Sequence, residues 1–173
     1  MNERIKRLIT EAEEALSNGK YIDAGRFYEK AAESAFHKSQ AVKLLKKASE
    51  AYKTCGMYKD ANRCSEKALL FMDDNQKVQY LMESWRDIID TITHFEYDCS
   101  FEWRGETNGS HDSYQKDIDR LQKEAEDVLK QALSVNGVDR EKIIEETRDE
   151  CRKREKEGGW GASRCWDIIR NVI

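Results

Sequence analysis

The 173-residue chain contains no proline, although average usage would supply about nine. Because proline interrupts helix interiors, its absence favours long helices joined by short turns. The chain also has no run approaching the roughly 18 apolar residues of a membrane span, and residues 1–12 are rich in charge. We therefore expect neither a transmembrane segment nor a signal peptide.

The cysteines form no recognisable metal or redox motif, because no two of them have CxxC spacing. They are odd in number and widely separated: Cys55, Cys64, Cys99, Cys151 and Cys165. We interpret them as reduced thiols, most of them small core residues, and we predict a cytoplasmic location.

Neither sign of charge dominates, since the chain has 30 basic and 34 acidic residues and a net charge of −4. A dedicated nucleic-acid binder needs a dominant basic surface, so we expect no nucleic-acid partner. Hydrophobic residues still make up 39% of the chain and recur at helical spacing. This pattern predicts a folded, all-α protein.

What the chain does contain is an internal repeat with an offset of 37 residues. Residues 19–31 align with residues 56–68 without a gap, and the identical pairs are Gly19/Gly56, Tyr21/Tyr58, Asp23/Asp60, Ala24/Ala61, Arg26/Arg63, Glu29/Glu66, Lys30/Lys67 and Ala31/Ala68. Such a period indicates stacked pairs of helices. We predict units over about 5–36 and 42–72, the first with helices at about 3–17 and 21–36. Glycine would end each leading helix in the left-handed conformation.

The small and aromatic residues around each glycine resemble the tetratricopeptide repeat. The pattern is carried by Ala12, Ala15, Gly19, Tyr21, Ala24, Tyr28 and Ala31, and again by Ser49, Tyr52, Gly56, Tyr58, Ala61, Ser65 and Ala68. The unit is longer than the standard one and lacks its closing proline. In this respect residues 5–72 are similar to the soluble attachment-protein (SNAP) family of vesicle-fusion adaptors. The resemblance implies a right-handed solenoid of helical hairpins, with about seven or eight helices.

The remainder of the chain continues the helical pattern more weakly. The spacing of Ala125, Leu129 and Ala132 matches the repeat, which predicts a third unit over 75–134 with helices at 75–95 and 114–134. An insertion at about 96–113 would join these two helices. Capping helices over 138–173 would complete a single domain spanning residues 1–173.

Two capping helices are expected in that last segment. The first covers about 140–157 and has Asp139 as its N-cap. The second starts near Ala162 after a glycine break, and its apolar face carries Trp166, Ile169 and Ile173. Its apolar residues cover either the end of the stack or a second copy of the chain, so a homodimer through this helix is one expectation.

We find no catalytic or metal-binding constellation. The only dense grouping of cysteine and histidine is His94, Cys99 and His111, and its spacing fits no zinc motif. The glycine-rich segment 158–161 has neither the preceding strand nor the lysine of a phosphate loop. We therefore expect no cofactor, no metal and no enzyme activity.

Four lysines are the first candidate binding site: Lys43, Lys46, Lys47 and Lys53. The leading helices of tetratricopeptide arrays line a concave groove, and that mapping turns the first three of these lysines toward it. They could hold acidic side chains or the C-terminal carboxylate of a peptide. The alternative is an ordinary solvated helix face.

The second candidate site is the segment 95–103. Its aromatic and cysteine side chains alternate with polar ones: Phe95, Tyr97, Cys99, Phe101 and Trp103. A period of two argues against a helix. The aromatic side chains either pack on their own repeat or contact a partner.

These observations favour a non-catalytic scaffold or adaptor, one that binds a segment of another protein in vesicle trafficking or complex assembly. The partner segment would be acidic if the lysines hold it. The alternative is a small-molecule-binding or enzymatic domain with a pocket beside residues 95–103.

Overall fold

The computed structural model describes residues 3–102, 111–159 and 161–173, and their side chains outside 99–102 and 111–113. The described residues form eight α-helices: α1 (Glu3–Ser17), α2 (Tyr21–Glu33), α3 (Lys38–Thr54), α4 (Tyr58–Leu69), α5 (Asp74–Glu102), α6 (His111–Ser134), α7 (Arg140–Lys156) and α8 (Ala162–Val172). This confirms the predicted all-α class. None of these helices is long and apolar enough to cross a membrane.

The chain divides into two compact units. The first is Met1–Asp73 with α1 to α4, and the second is Asp74–Ile173 with α5 to α8. The boundary lies between the second and third predicted repeats. That both units belong to one repeat domain stays a prediction.

The two turns of the first unit have the same backbone structure. Gly19 and Gly56 both take a left-handed φ, +70° and +76°. The amide that follows each glycine reaches back to a carbonyl of the leading helix, Lys20 N to Ala15 O at 2.8 Å and Met57 N to Tyr52 O at 2.9 Å. Each predicted glycine therefore lies at the end of a leading helix in the left-handed conformation.

Helix α2 is shorter than predicted, because it ends at Glu33 and not near Phe36. The backbone N–H of Ser34 donates to Lys30 O and Ala31 O, and its hydroxyl also donates to Lys30 O at 3.0 Å. A serine that satisfies the last carbonyls in this way favours a helix end. Phe36 consequently lies in the connection to α3 and is 83% exposed.

Small residues allow the helices of the first unit to lie close together. Five alanines at the repeat positions have no exposed surface: Ala12, Ala24, Ala31, Ala61 and Ala68. Between the two hairpins, the ring of Tyr52 lies against the backbone of Gly25. A Cβ atom on Gly25 would be 2.7 Å from that ring, which is too close for any side chain. Glycine at this position is therefore required for the packing of α3 on α2.

A buried carboxylate joins α2 to α3 and α4. Glu29 is only 8% exposed, and it accepts hydrogen bonds from the Tyr52 hydroxyl at 3.1 Å, Arg63 Nη2 at 2.9 Å and Lys67 Nζ at 3.2 Å. Burial favours the neutral acid, but the hydrogen bonds from Lys67 and Tyr52 and the charge of Arg63 outweigh it. They hold the pKa of Glu29 below its usual value of 4.5.

In the second unit, α5 is longer than predicted. It continues to Glu102, and α6 already begins at His111. The predicted bounds of the insertion, 96–113, are therefore wrong, since residues 96–102 extend one helix and 111–113 begin the next. The rest of the predicted insertion, 103–110, lies outside the described residues. The apolar face of α5 is buried at Leu81, Met82, Trp85, Ile88, Ile89 and Ile92. Val78, at the start of this face, is half-buried.

Helix α7 begins as predicted. The carboxylate of Asp139 accepts a hydrogen bond from Lys142 N at 3.1 Å, which is the geometry of an N-cap. The helix ends at Lys156, and Gly158, Gly159 and Gly161 all have positive φ before α8 starts.

Cys151 of α7 and Cys165 of α8 form a disulfide, and both residues are fully buried. The interpretation of all five cysteines as reduced thiols is therefore wrong. The two cysteines are 14 residues apart, which is not a motif spacing, and the glycine turn between α7 and α8 lies between them. Cys55 and Cys64 are free thiols, and the side chain of Cys99 lies outside the described residues. The cytoplasmic location stays a prediction.

Helix α8 is rotated relative to the predicted face. Its buried residues are Ala162, Cys165, Ile168 and Ile169. Trp166 is half-buried and donates through Nε1 to Glu155 at 2.7 Å, while Ile173 is half-exposed. Of the predicted face, Ile169 is therefore buried, while Trp166 and Ile173 lie at the border of the buried side. A homodimer through this helix stays a prediction.

The packing of Tyr52 on Gly25 can be tested with Gly25→Ala. Overpacking costs about 1–3 kcal/mol, and the helix preference of alanine offsets up to ~1 kcal/mol of that. We expect the free energy of unfolding of the first unit to fall by about 1 kcal/mol, measured by urea denaturation of the full chain. The control is Asn62→Ala at the equivalent exposed position of α4, which should be neutral or slightly stabilising. Equal behaviour of the two variants would contradict the packing.

The Glu29 carboxylate should make the first unit sensitive to acid. Its folded pKa lies below the unfolded value, so its contribution is complete above the unfolded pKa and is lost as pH falls through the folded pKa. At pH 7, Glu29→Gln should lower the unfolding free energy by about 2 kcal/mol, and this difference should shrink below pH 4.5. Glu66→Gln, at the exposed equivalent position, is the control. A difference that does not change with pH argues against an ionised Glu29.

Candidate functional site

The four predicted lysines lie on the outer side of α3. The apolar side of this helix is turned into the first unit, with Leu44, Leu45 and Ala48 among its buried residues. The lysines differ in exposure, since Lys46 is half-buried and the others are exposed: Lys43, Lys47 and Lys53. Lys43 and Lys47 are one helical turn apart and therefore share a face.

A cleft of ≈ 270 Å³ opens beside Lys47, within the first unit. Residues from α1, α2 and α3 line it: Leu16, Tyr28, Lys47, Glu50, Ala51 and Thr54. Among the four lysines, only Lys47 contributes to the wall. The leading helices α1 and α3 thus flank an open site with an apolar interior and a polar edge.

Lys47 is held at the edge of this cleft by two weak contacts. Its Nζ lies 5.4 Å from the centroid of the Tyr28 ring and 3.8 Å from Glu13 Oε1. Both Lys47 and Glu13 are more than half exposed, and ion pairs of this kind contribute about 0–1 kcal/mol. A partner carboxylate could therefore attract Lys47 away from Glu13 at little cost.

Tyr28 forms the buried part of the same site. Burial raises the pKa of its phenol; the Lys47 charge opposes this rise, and the Glu13 carboxylate reinforces it. The phenol therefore stays neutral at physiological pH and can act as a hydrogen-bond donor but not as a base.

The predicted extended segment over 95–103 is wrong as far as the structure describes it, since residues 95–102 belong to α5. Phe95 is half-buried and packs on Tyr114 of α6, with ring centroids 5.7 Å apart. Tyr97 is 45% exposed. The side chain of Phe101 and all of Trp103 lie outside the described residues.

A second cleft of ≈ 470 Å³ lies within the second unit, between the first half of α5 and the start of α7. Its wall includes Met82, Arg86, Lys142, Ile143 and Glu146. It is formed by residues 75–86 of α5 and not by the stretch around Phe95, so it is not the pocket that the small-molecule alternative requires.

Among the described residues, the side chains that could catalyse a reaction or bind a metal lie apart from one another or already have hydrogen-bonding or ionic partners. No three side chains of His, Cys, Asp or Glu among them are grouped to hold a metal ion. His94 lies 3.4 Å from Asp98 on the same helix, which is an ordinary surface pair.

The cluster around Glu29 is the main polar feature that sequence reasoning missed. Its carboxylate has three donors, and burial together with that carboxylate raises the pKa of the Cys64 thiol to about 12. The carboxylate is thus engaged and the thiol protonated, which suits structural support better than acid–base or nucleophilic work. The identity of Glu29 and Glu66 in the repeat was the available signal, but it did not distinguish a buried acid from an exposed one.

Comparison with known proteins adds no relative. No family model, no curated protein and no solved structure matches the chain. The description of its function therefore depends on its own residues.

The two free thiols among the described side chains should differ sharply in reactivity. Cys55 is exposed, whereas Cys64 is fully buried with a pKa of about 12. Because the thiolate is the reacting form, iodoacetamide at pH 8 should alkylate Cys55 in the native chain and leave Cys64 unmodified. Peptide mass spectrometry measures both sites at once. Rapid alkylation of Cys64 under native conditions would contradict the packing around Glu29.

Proposed function

We propose that this chain is a non-catalytic scaffold that binds an acidic segment of another protein in the cleft between α1 and α3. The proposal includes the architecture that the sequence resembles, a right-handed array of helical hairpins whose leading helices line the binding face. The equivalent glycine turns at Gly19 and Gly56 support this architecture, because each returns the chain in the same way.

The observation that carries the proposal is the composition of the cleft. Leu16, Ala51 and the ring of Tyr28 offer apolar surface, while Lys47 stands at the edge and Lys43 lies one turn away. At ≈ 270 Å³ the cleft is smaller than most small-molecule sites. It suits one or two side chains of a peptide, with an apolar side chain inside and carboxylates near the lysines.

A peptide also fits the local charges better than a nucleic acid. Glu13 and Glu50 lie beside Lys47 and would repel a continuous chain of phosphates. A peptide can place one or two carboxylates at Lys43 and Lys47 and keep negative charge away from Glu13 and Glu50. A role in vesicle trafficking or complex assembly is part of the proposal only through the family resemblance.

The test is binding to short synthetic peptides, each with one leucine flanked by aspartate or glutamate, followed by fluorescence anisotropy. Lys43→Glu/Lys47→Glu should weaken binding at least about tenfold, because like charges now face each other. Lys59→Glu reverses the charge of an exposed lysine on α4, away from the cleft, and should leave the affinity within about twofold.

Peptides with lysine in place of the acidic residues are the second control and should not bind. The proposal fails if no acidic peptide binds at micromolar concentrations. It also fails if Lys59→Glu weakens binding as much as the double variant.

A further inference from the structure

The second unit contains a disulfide between two consecutive helices. The disulfide between Cys151 and Cys165 joins α7 to α8 across the turn that contains Gly158, Gly159 and Gly161. Both cysteines are fully buried, so the bond lies inside the packed hairpin.

Helix α8 is short and packs on α6 and α7. It has 11 residues, and four of them are buried. Isolated helices of this length are marginal in water. Its polar contacts to α6 include Arg164 Nη1 to Gln122 Oε1 at 2.9 Å, Arg164 Nη1 to Asp119 Oδ1 at 3.8 Å and Asn171 Nδ2 to Glu126 Oε1 at 2.7 Å. Half-exposed contacts of this kind contribute little to stability.

The start of α8 is also attached to α5 through a single carboxylate. Glu96 accepts hydrogen bonds from Gly161 N at 2.7 Å and from Arg164 Nε at 3.3 Å. A side chain at Gly161 would overlap Thr93, so this contact needs the turn to lie directly on α5. It can form only while α8 is docked.

Helix α7 is fixed in a different way. The guanidinium of Arg154 is 8% exposed and donates to Asp90 Oδ1 at 2.6 Å and to Thr93 Oγ1 at 3.0 Å. These contacts hold α7 on α5 without any contribution from α8. The disulfide is thus not the only link that holds α7 in the second unit.

We propose that the Cys151–Cys165 disulfide is a redox-sensitive latch: reduction by a dithiol releases α8 and its glycine turn from Glu96, while α5, α6 and α7 stay folded. The released helix uncovers the surface of α6 around Gln122 and Glu126. It also frees the Glu96 carboxylate, whose neighbours in the sequence are Phe95 and the exposed Tyr97. The surface of the second unit thus depends on the redox state of one bond.

The chemistry is an ordinary thiol–disulfide exchange. A thiolate of the dithiol attacks one protein sulfur, and the other leaves as a thiolate. The second thiol of the reductant then displaces the protein from the mixed disulfide and closes its own disulfide. Two electrons and two protons end on Cys151 and Cys165. Because both cysteines are buried, the attack follows local opening of α8.

The test is hydrogen–deuterium exchange on the full chain before and after dithiothreitol, with alkylation and mass spectrometry to verify the state of each cysteine. We expect amides of residues 162–172 to exchange at least about tenfold faster after reduction, and those of 81–92 and 118–133 to change less than about twofold. Cys165→Ser should show the fast exchange without reductant. Cys55→Ser should behave as wild type, and glutathione disulfide should restore slow exchange.

Three results would each overturn the proposal. The first is alkylation of Cys151 and Cys165 in the untreated protein, which would mean that the bond is absent. The second is unchanged protection of α8 when both thiols are verified as reduced. The third is loss of protection throughout α5 and α6, which would make the disulfide a support of the whole unit and not a latch.

Discussion

The first unit depends on the contact between the ring of Tyr52 and the backbone of Gly25. Because no Cβ atom separates them, α3 lies close enough to α2 for the Tyr52 hydroxyl to reach Glu29. The same approach sets the position of Lys47 over the Tyr28 ring. The buried acid and the open cleft are therefore two consequences of one close helix contact.

The features that sequence could predict are those encoded within a few residues. The helices and the left-handed turn at Gly19 follow from apolar spacing and from the conformational freedom of glycine. The N-cap at Asp139 follows from side-chain chemistry at one position. The lysines could be assigned to an exposed face for the same reason, but the cleft next to Lys47 could not, since three helices form it.

The features that sequence missed depend on neighbours from other helices. Glu29 and Glu66 occupy equivalent positions of the repeat, yet only Glu29 is buried, because Tyr52, Arg63 and Lys67 all come from the next hairpin. The disulfide likewise needs the fold to bring Cys151 and Cys165 together. At 95–102 the alternation of aromatic residues competed with a helical stripe through Ile88 and Ile92. The longer helical pattern determines the structure there.

We propose that acidic protein segments bind in the cleft between α1 and α3. The most direct measurement is a titration of the ¹⁵N-labelled chain with an acidic leucine-containing peptide, followed by amide chemical shifts. We expect the largest shifts on residues of the cleft wall, Leu16, Lys47, Ala51 and Thr54. Shifts confined to residues 74–173, or no shifts at saturating peptide, would contradict it.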